Sequence, residues 1–113
     1  MSDKTIFIKN IKASEVLELK EQVQYAEGQI VSKTIAQNSS VSITYFAFDQ
    51  NEEISTHTSK GDALIYVFDG LARITIGDNI YEVKEGQTIL MPANIPHAVF
   101  ALPKMRFMLM VGF

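Results

Sequence analysis

From Gln29 to Val111 the chain is a run of short segments that either alternate apolar with polar residues or are rich in β-branched and aromatic ones, broken by turn signals at intervals of about 8–12 residues. Few folds can use such a run. Successive side chains of a strand point to opposite faces, so a period-two segment buries one face and wets the other. A helix needs apolar positions three and four apart over a longer stretch. Val31, Lys33 and Ile35 alternate with Ile30, Ser32 and Thr34, and Gln37-Asn38-Ser39-Ser40 turns the chain. Residues 41–48 (VSITYFAF) are largely β-branched and aromatic. Strands follow at 54–57, at 63–69 (ALIYVFD, ended by Gly70) and at 72–76 (ARITI). Gly77-Asp78-Asn79 reads as a tight hairpin leading into 80–83, and Lys84-Glu85-Gly86 as the next turn. Residues 87–91, 97–102 and 105–111 complete the series, which predicts an all-β sandwich or barrel.

Residues 1–28 lack this regular alternation and form an N-terminal segment expected to pack on the barrel or on a partner. Ile6 to Ile11 reads as a short extended piece. Val16, Leu17, Leu19 and Val23 fit either a short helix or a strand, and Gly28 closes the segment. The length of 113 residues suits one domain, and 47% apolar residues suffice for a real core. The ten basic residues are scattered and the net charge is −3, which disfavours nucleic-acid binding through phosphate neutralisation. With no cysteine there are no disulfides, thiolate nucleophiles or Cys-ligated zinc. The first residues lack the apolar core of a secretory signal, and no apolar run approaches the roughly 20 residues that span a bilayer. A cytoplasmic protein without membrane contact is expected.

Two stretches carry chemical information. In the first, Asn51, His57, Ser59, Ala63 and Gly70 stand at the spacings of the pattern G-x5-H-x-H-x3-E-x6-G. In the second, Gly86, Pro92, Asn94, His97 and Ala101 stand at those of G-x5-P-x-G-x2-H-x3-N. Fifteen residues separate Gly70 from Gly86. These paired patterns resemble the signature motifs of the cupin family, of the small single-domain, conserved-barrel type. The resemblance covers residues 51–101 and implies a double-stranded β-helix, or jelly-roll barrel, over residues 29–113. Asn51 and Asn94 replace glycines, and asparagine is the side chain that best tolerates the left-handed backbone such turns require.

In family members with the full motif, three imidazoles and one carboxylate hold a divalent metal. Here the resemblance leaves two of those four positions, His57 and His97, as candidate ligands in one interior pocket. A transition metal such as Zn, Ni, Fe or Mn would have to be completed by water or substrate. Ser59 offers only a neutral hydroxyl and Ala63 nothing. Glu53 shares strand parity with His57 if the segment is straight, but lies about 13 Å along the strand. Asp62 reaches the pocket only if the loop before Ala63 bends inward. By motif parity Ala63, Ile65, Val67, Ala72, Ile74, Ile76, Val99 and Ala101 point inward. Ser59, Ala63, Ile65, Met91, Val99 and Ala101 are the candidate pocket lining.

Leu64, Tyr66 and Phe68 then fall on the outer face of their strand, too apolar a row to leave wet. The last strand is apolar on both faces, with Phe107, Leu109 and Val111 alternating with Met108 and Met110. The N-terminal segment or a second subunit must cover these faces, and a twofold homodimer is expected. Fold does not fix function in so varied a family. The sequence favours a small-molecule-binding module with a reduced two-histidine pocket. The alternatives are a metal-dependent enzyme using two histidines plus water or substrate, and metal-free acid–base catalysis by a histidine.

Overall fold

The computed structural model describes residues 7–113, so residues 1–6, including the start of the expected extended piece at Ile6, lie outside it. Among the described residues nine strands form two antiparallel sheets. They are β1 (Ile30–Gln37), β2 (Val41–Phe48), β3 (Glu53–His57), β4 (Asp62–Asp69), β5 (Leu71–Ile76), β6 (Asn79–Lys84), β7 (Thr88–Met91), β8 (His97–Ala101) and β9 (Met105–Gly112). A five-stranded sheet runs β1-β2-β9-β4-β7 and a four-stranded sheet runs β3-β8-β5-β6. The chain crosses repeatedly between the sheets, which is the double-stranded β-helix expected from the motifs.

Turn chemistry explains much of this path. Asn38 Oδ1 accepts hydrogen bonds from the amides of Ser40 (2.8 Å) and Val41 (3.0 Å), folding β1 onto β2. Gly77-Asp78 joins β5 to β6 with Ile76 opposite Asn79, and Gly77 has φ +57°. Asn51 (φ +69°) and Asn94 (φ +64°) both adopt the left-handed backbone, in place of the motif glycines.

The two faces of the larger sheet build two apolar clusters. Phe48, Ile65, Val67, Met91, Met105 and Phe107 meet Ala72, Ile74, Val83 and Val99 of the smaller sheet between the layers. On the outside, Ile35, Tyr45, Ala47 and Phe68 pack with Val23, joined by Ile11, Tyr25, Tyr66 and Met108. The cover over Tyr66 and Phe68 is thus the N-terminal segment of the same chain. The apolar double face of β9 has the same cause, because β9 lies between β2 and β4 with one face in each cluster.

Over residues 7–28 the N-terminal segment is neither a regular helix nor a strand. Among the described residues its one regular piece is a 3-10 turn at Leu19–Gln22, and Val16 is fully exposed. It is held by individual anchors. Val23 is 3% exposed, and the Tyr25 hydroxyl donates to Asp69 Oδ2 at 2.8 Å. Arg106 Nη2 donates to the same Oδ2 at 2.8 Å, while its guanidinium carbon lies 4.6 Å from the centre of the Tyr25 ring.

Burial works to raise the Asp69 carboxyl. The hydrogen bonds from Tyr25 and Arg106 outweigh it and hold the group below the ordinary carboxylate range. The stability this contributes is complete above about pH 4 and is lost as pH falls through the lowered value. Asp69→Asn keeps the acceptor but not the charge. It is expected to cost roughly 1–2 kcal/mol at pH 7 and to flatten the acid limb of the stability profile, as read by denaturant melts between pH 2 and 7. An unchanged acid limb would show that the latch is not ionic.

Candidate functional site

The pocket begins with an irregularity in β3. Glu53 opposes Phe100 and Ile54 opposes Val99, but the next paired position is His57 opposite His97. The bulge between them lets Ile54 and His57, three residues apart, both reach the interior. Glu53 instead borders an outer-face groove with Arg73, Thr75, Ala98 and Phe100, so the straight-strand parity expected for it is overturned by that bulge. His97 opens β8 directly after Pro96, which limits where that strand can start.

The two imidazoles are neighbours, with ring centres 4.4 Å apart and planes at 69°. His97 is 2% exposed, whereas His57 is exposed. Each ring makes the same local contact. His57 Nδ1 lies 2.9 Å from the Ser55 carbonyl oxygen, and His97 Nδ1 lies 3.0 Å from the Ile95 carbonyl oxygen. A carbonyl only accepts, so Nδ1 carries the proton in both contacts. A neutral ring then leaves Nε2 as a lone pair.

Below the rings lies a cavity of about 100 Å³, lined by Ser59, Ala63, Ile65, Met91 and Val99 as well as both histidines. Ile54, Phe107, Leu109 and Val111 complete its walls. None of these four belongs to the lining expected from the sequence. Ile54 is hidden by the bulge. The β9 residues share one parity, but only the register Ala63↔Val111, Ile65↔Leu109 and Val67↔Phe107 shows which face turns inward. Ala101, expected in the lining, is absent from it. It is wholly buried opposite Ala72, and its amide donates to the Glu52 carbonyl at 3.0 Å. Four residues of strand put it about 13 Å from His97.

Asp62 also stays out of the lining. Its Oδ1 accepts from the Ala93 amide at 2.8 Å, and the Asn94 amide donates to the Ser59 carbonyl at 2.8 Å. These two bonds tie the loop after His57 to the turn before His97, so both motif segments brace one rim. Ser59 Oγ accepts from the Gly61 amide at 3.2 Å.

The donor set does not fit a resident divalent metal of the kind the motif implies. Two imidazole nitrogens are present, but among the described residues no group of three or more His, Cys, Asp or Glu side chains could hold an ion. No lining side chain carries a negative charge to offset a dication within these apolar walls. Among the described residues no helix is long and apolar enough to cross a membrane.

A family model described as "Cupin domain" matches residues 44–111. A solved structure of a conserved protein of unknown function from Streptococcus pyogenes is 41% identical, over 97% of this chain and 96% of that one, with a TM-score of 0.94. A cupin superfamily protein from Desulfitobacterium hafniense is 25% identical, over 96% and 99% of the two chains, with a TM-score of 0.91. More distant is Bacillus subtilis oxalate decarboxylase, a protein with Mn(II) centres. It is 25% identical over 65% of this chain and 21% of that one, with a TM-score of 0.62. No curated protein matches the chain significantly. The nine-strand double sheet, the paired motif loops and the family match together make this chain a member of the cupin superfamily, built as a single small barrel.

Proposed function

We propose that this cupin is a binding module that takes a small organic molecule into the two-histidine pocket without a resident metal. One observation carries the reading. Two imidazoles, each with Nδ1 committed to a backbone carbonyl, share a cavity that is apolar apart from Ser59 and lacks both the carboxylate and the third imidazole of the full motif. Apolar walls with a few convergent polar groups are the ordinary make-up of a small-molecule site. The metal-dependent alternative lacks a third ligand, and acid–base chemistry would have only Ser59 as a further polar side chain in the lining.

Dialysis against a strong chelator is expected to leave the thermal midpoint within about 1 °C of its starting value, since nothing that stabilises the native state is removed. A fall of several degrees, reversed by Zn, Ni, Fe or Mn, would refute the metal-free half of the proposal. Binding itself is checked by ligand-observed NMR with a fragment set. Hits that persist unchanged in both His57→Ala and His97→Ala would place the site elsewhere.

A twofold homodimer belongs to this proposal. Its support is the apolar surface the chain leaves uncovered, with Phe7 at 78%, Ile8 at 60% and Val16 at 104% exposure. Light scattering is expected to give about twice the chain mass of 12.7 kDa, and a monomer at micromolar concentration would remove the dimer.

A further inference from the structure

We infer that the pocket selects a small neutral molecule, about the size of a five-membered ring, with an apolar body and an N–H or O–H group that donates to Nε2 of His57 or His97. This rests on the binding-module reading and gives it a ligand class. Three observations carry it.

The first is size. The cavity is about 100 Å³ and partly open to solvent, and an apolar cavity of about 150 Å³ is what holds benzene, so the part of the guest held inside has roughly four or five heavy atoms. The second is charge. No lining residue is acidic, lysine or arginine, and Ile54, Ile65, Val99, Leu109 and Val111 make up much of the wall. An ionised guest would lose its hydration with no fixed counter-charge beside it. The third is the direction of hydrogen bonding. Both Nδ1–H groups are spent on the carbonyls of Ser55 and Ile95, so a neutral ring meets the guest as an acceptor. A guest that only accepts would find lone pairs opposed to its own, with the Ser59 hydroxyl as the one remaining donor side chain in the lining. A guest that donates satisfies a ring nitrogen in a place where unmet polar groups are costly.

The test compares three probes of similar size on the full-length protein at neutral pH. Pyrrole has an N–H donor, furan is its donor-free isostere, and acetate is an anion. Calorimetric titration is expected to show pyrrole binding about tenfold more tightly than furan, the effect of one hydrogen bond, and acetate more weakly than either. In ¹⁵N spectra the Nε2 signal of at least one histidine is expected to shift with pyrrole and not with furan. The Phe variant of whichever histidine shows that shift, His57→Phe or His97→Phe, is expected to narrow the gap between pyrrole and furan. His57 is exposed, so its variant keeps the question open to measurement should His97→Phe fail to fold.

Furan binding within twofold of pyrrole, or Nε2 signals that ignore pyrrole, would overturn the donor requirement while leaving a binding pocket in place. Acetate binding more tightly than pyrrole would overturn the neutral-guest assignment. Failure of all three probes to bind at about 10 mM would overturn this inference, and the binding-module reading falls with it only if the fragment set also gives no hit that His57→Ala or His97→Ala removes.

Discussion

Phe107→Ala is expected to destabilise the barrel by about 3–5 kcal/mol, the usual cost of deleting a fully buried aromatic ring. Phe107 is 1% exposed. Its ring stacks on Phe46 with centres 5.1 Å apart and tilts against Phe48 at 5.2 Å. Collapse around the gap is blocked by the backbone, because β9 is hydrogen-bonded to β2 on one side and β4 on the other. The space left by the ring therefore stays, and it opens into the pocket, since Phe107 is part of the pocket wall. A domain of this size has about 5–15 kcal/mol of stability in all, so the variant should be near the limit of folding at 37 °C. Urea melts at 15 °C read the loss directly. Saturating benzene should restore part of it by filling the enlarged cavity. A loss below about 1 kcal/mol, or no response to benzene, would mean that the aromatic cluster does not seat the floor of the site.

How much of this is legible in the sequence depends on whether the signal is local. Strand alternation is local, and of the expected inward set, Ala63, Ile65, Val67, Ala72, Ile74, Val99 and Ala101 are buried as their parity predicts, with Ile76 half-buried at the end of its strand. Backbone chemistry is local too. Asparagine at 51 and 94 reads as a tolerated stand-in for glycine because the left-handed angle is a property of one residue. The pairing of His57 with His97 comes only through the family motif, since no period or composition links two residues forty apart.

The failures have the opposite character. A bulge in β3 cannot be read from period-two counting, so that counting misses Ile54 and gives Glu53 the wrong face. Ala101 has the right parity but the wrong depth, because parity fixes a face and not a distance along the strand. The apolar residues of the N-terminal segment, Val16, Leu17, Leu19 and Val23 among them, fit a helix and a strand alike and so reveal no period. Its fixed points are the partners of Val23 and Tyr25 on β4 and β9, and those are tertiary facts. The apolar pattern of β9 demands two covers, but only the fold shows that the second cover is the chain's own beginning.

Gly70→Ala should be the harshest single-methyl change in the chain, for a reason distinct from its backbone angle. Gly70 has φ +85°, where an L side chain costs about 1–2 kcal/mol. A Cβ built there would also lie 2.3 Å from the Lys104 carbonyl oxygen and 2.9 Å from the Met105 Cα. Both obstacles are backbone at the entry to β9, and that entry is fixed. Met105 is fully buried and paired with Phe48, and the neighbouring Arg106 is held by Asp69. Moving it would pull on the outer latch and the core at once. Gly86→Ala is the control. It has nearly the same angle, φ +83°, but nothing lies within 4 Å of the position its new methyl group would take. The control should lose only the cost of the angle, about 1–2 kcal/mol, and Gly70→Ala at least about 2 kcal/mol more, in parallel urea melts. Equal losses would mean that the turn between β4 and β5 does not press against the start of β9. The anchoring of the sheet that carries Ala63, Ile65 and Leu109 of the pocket wall would then need another explanation.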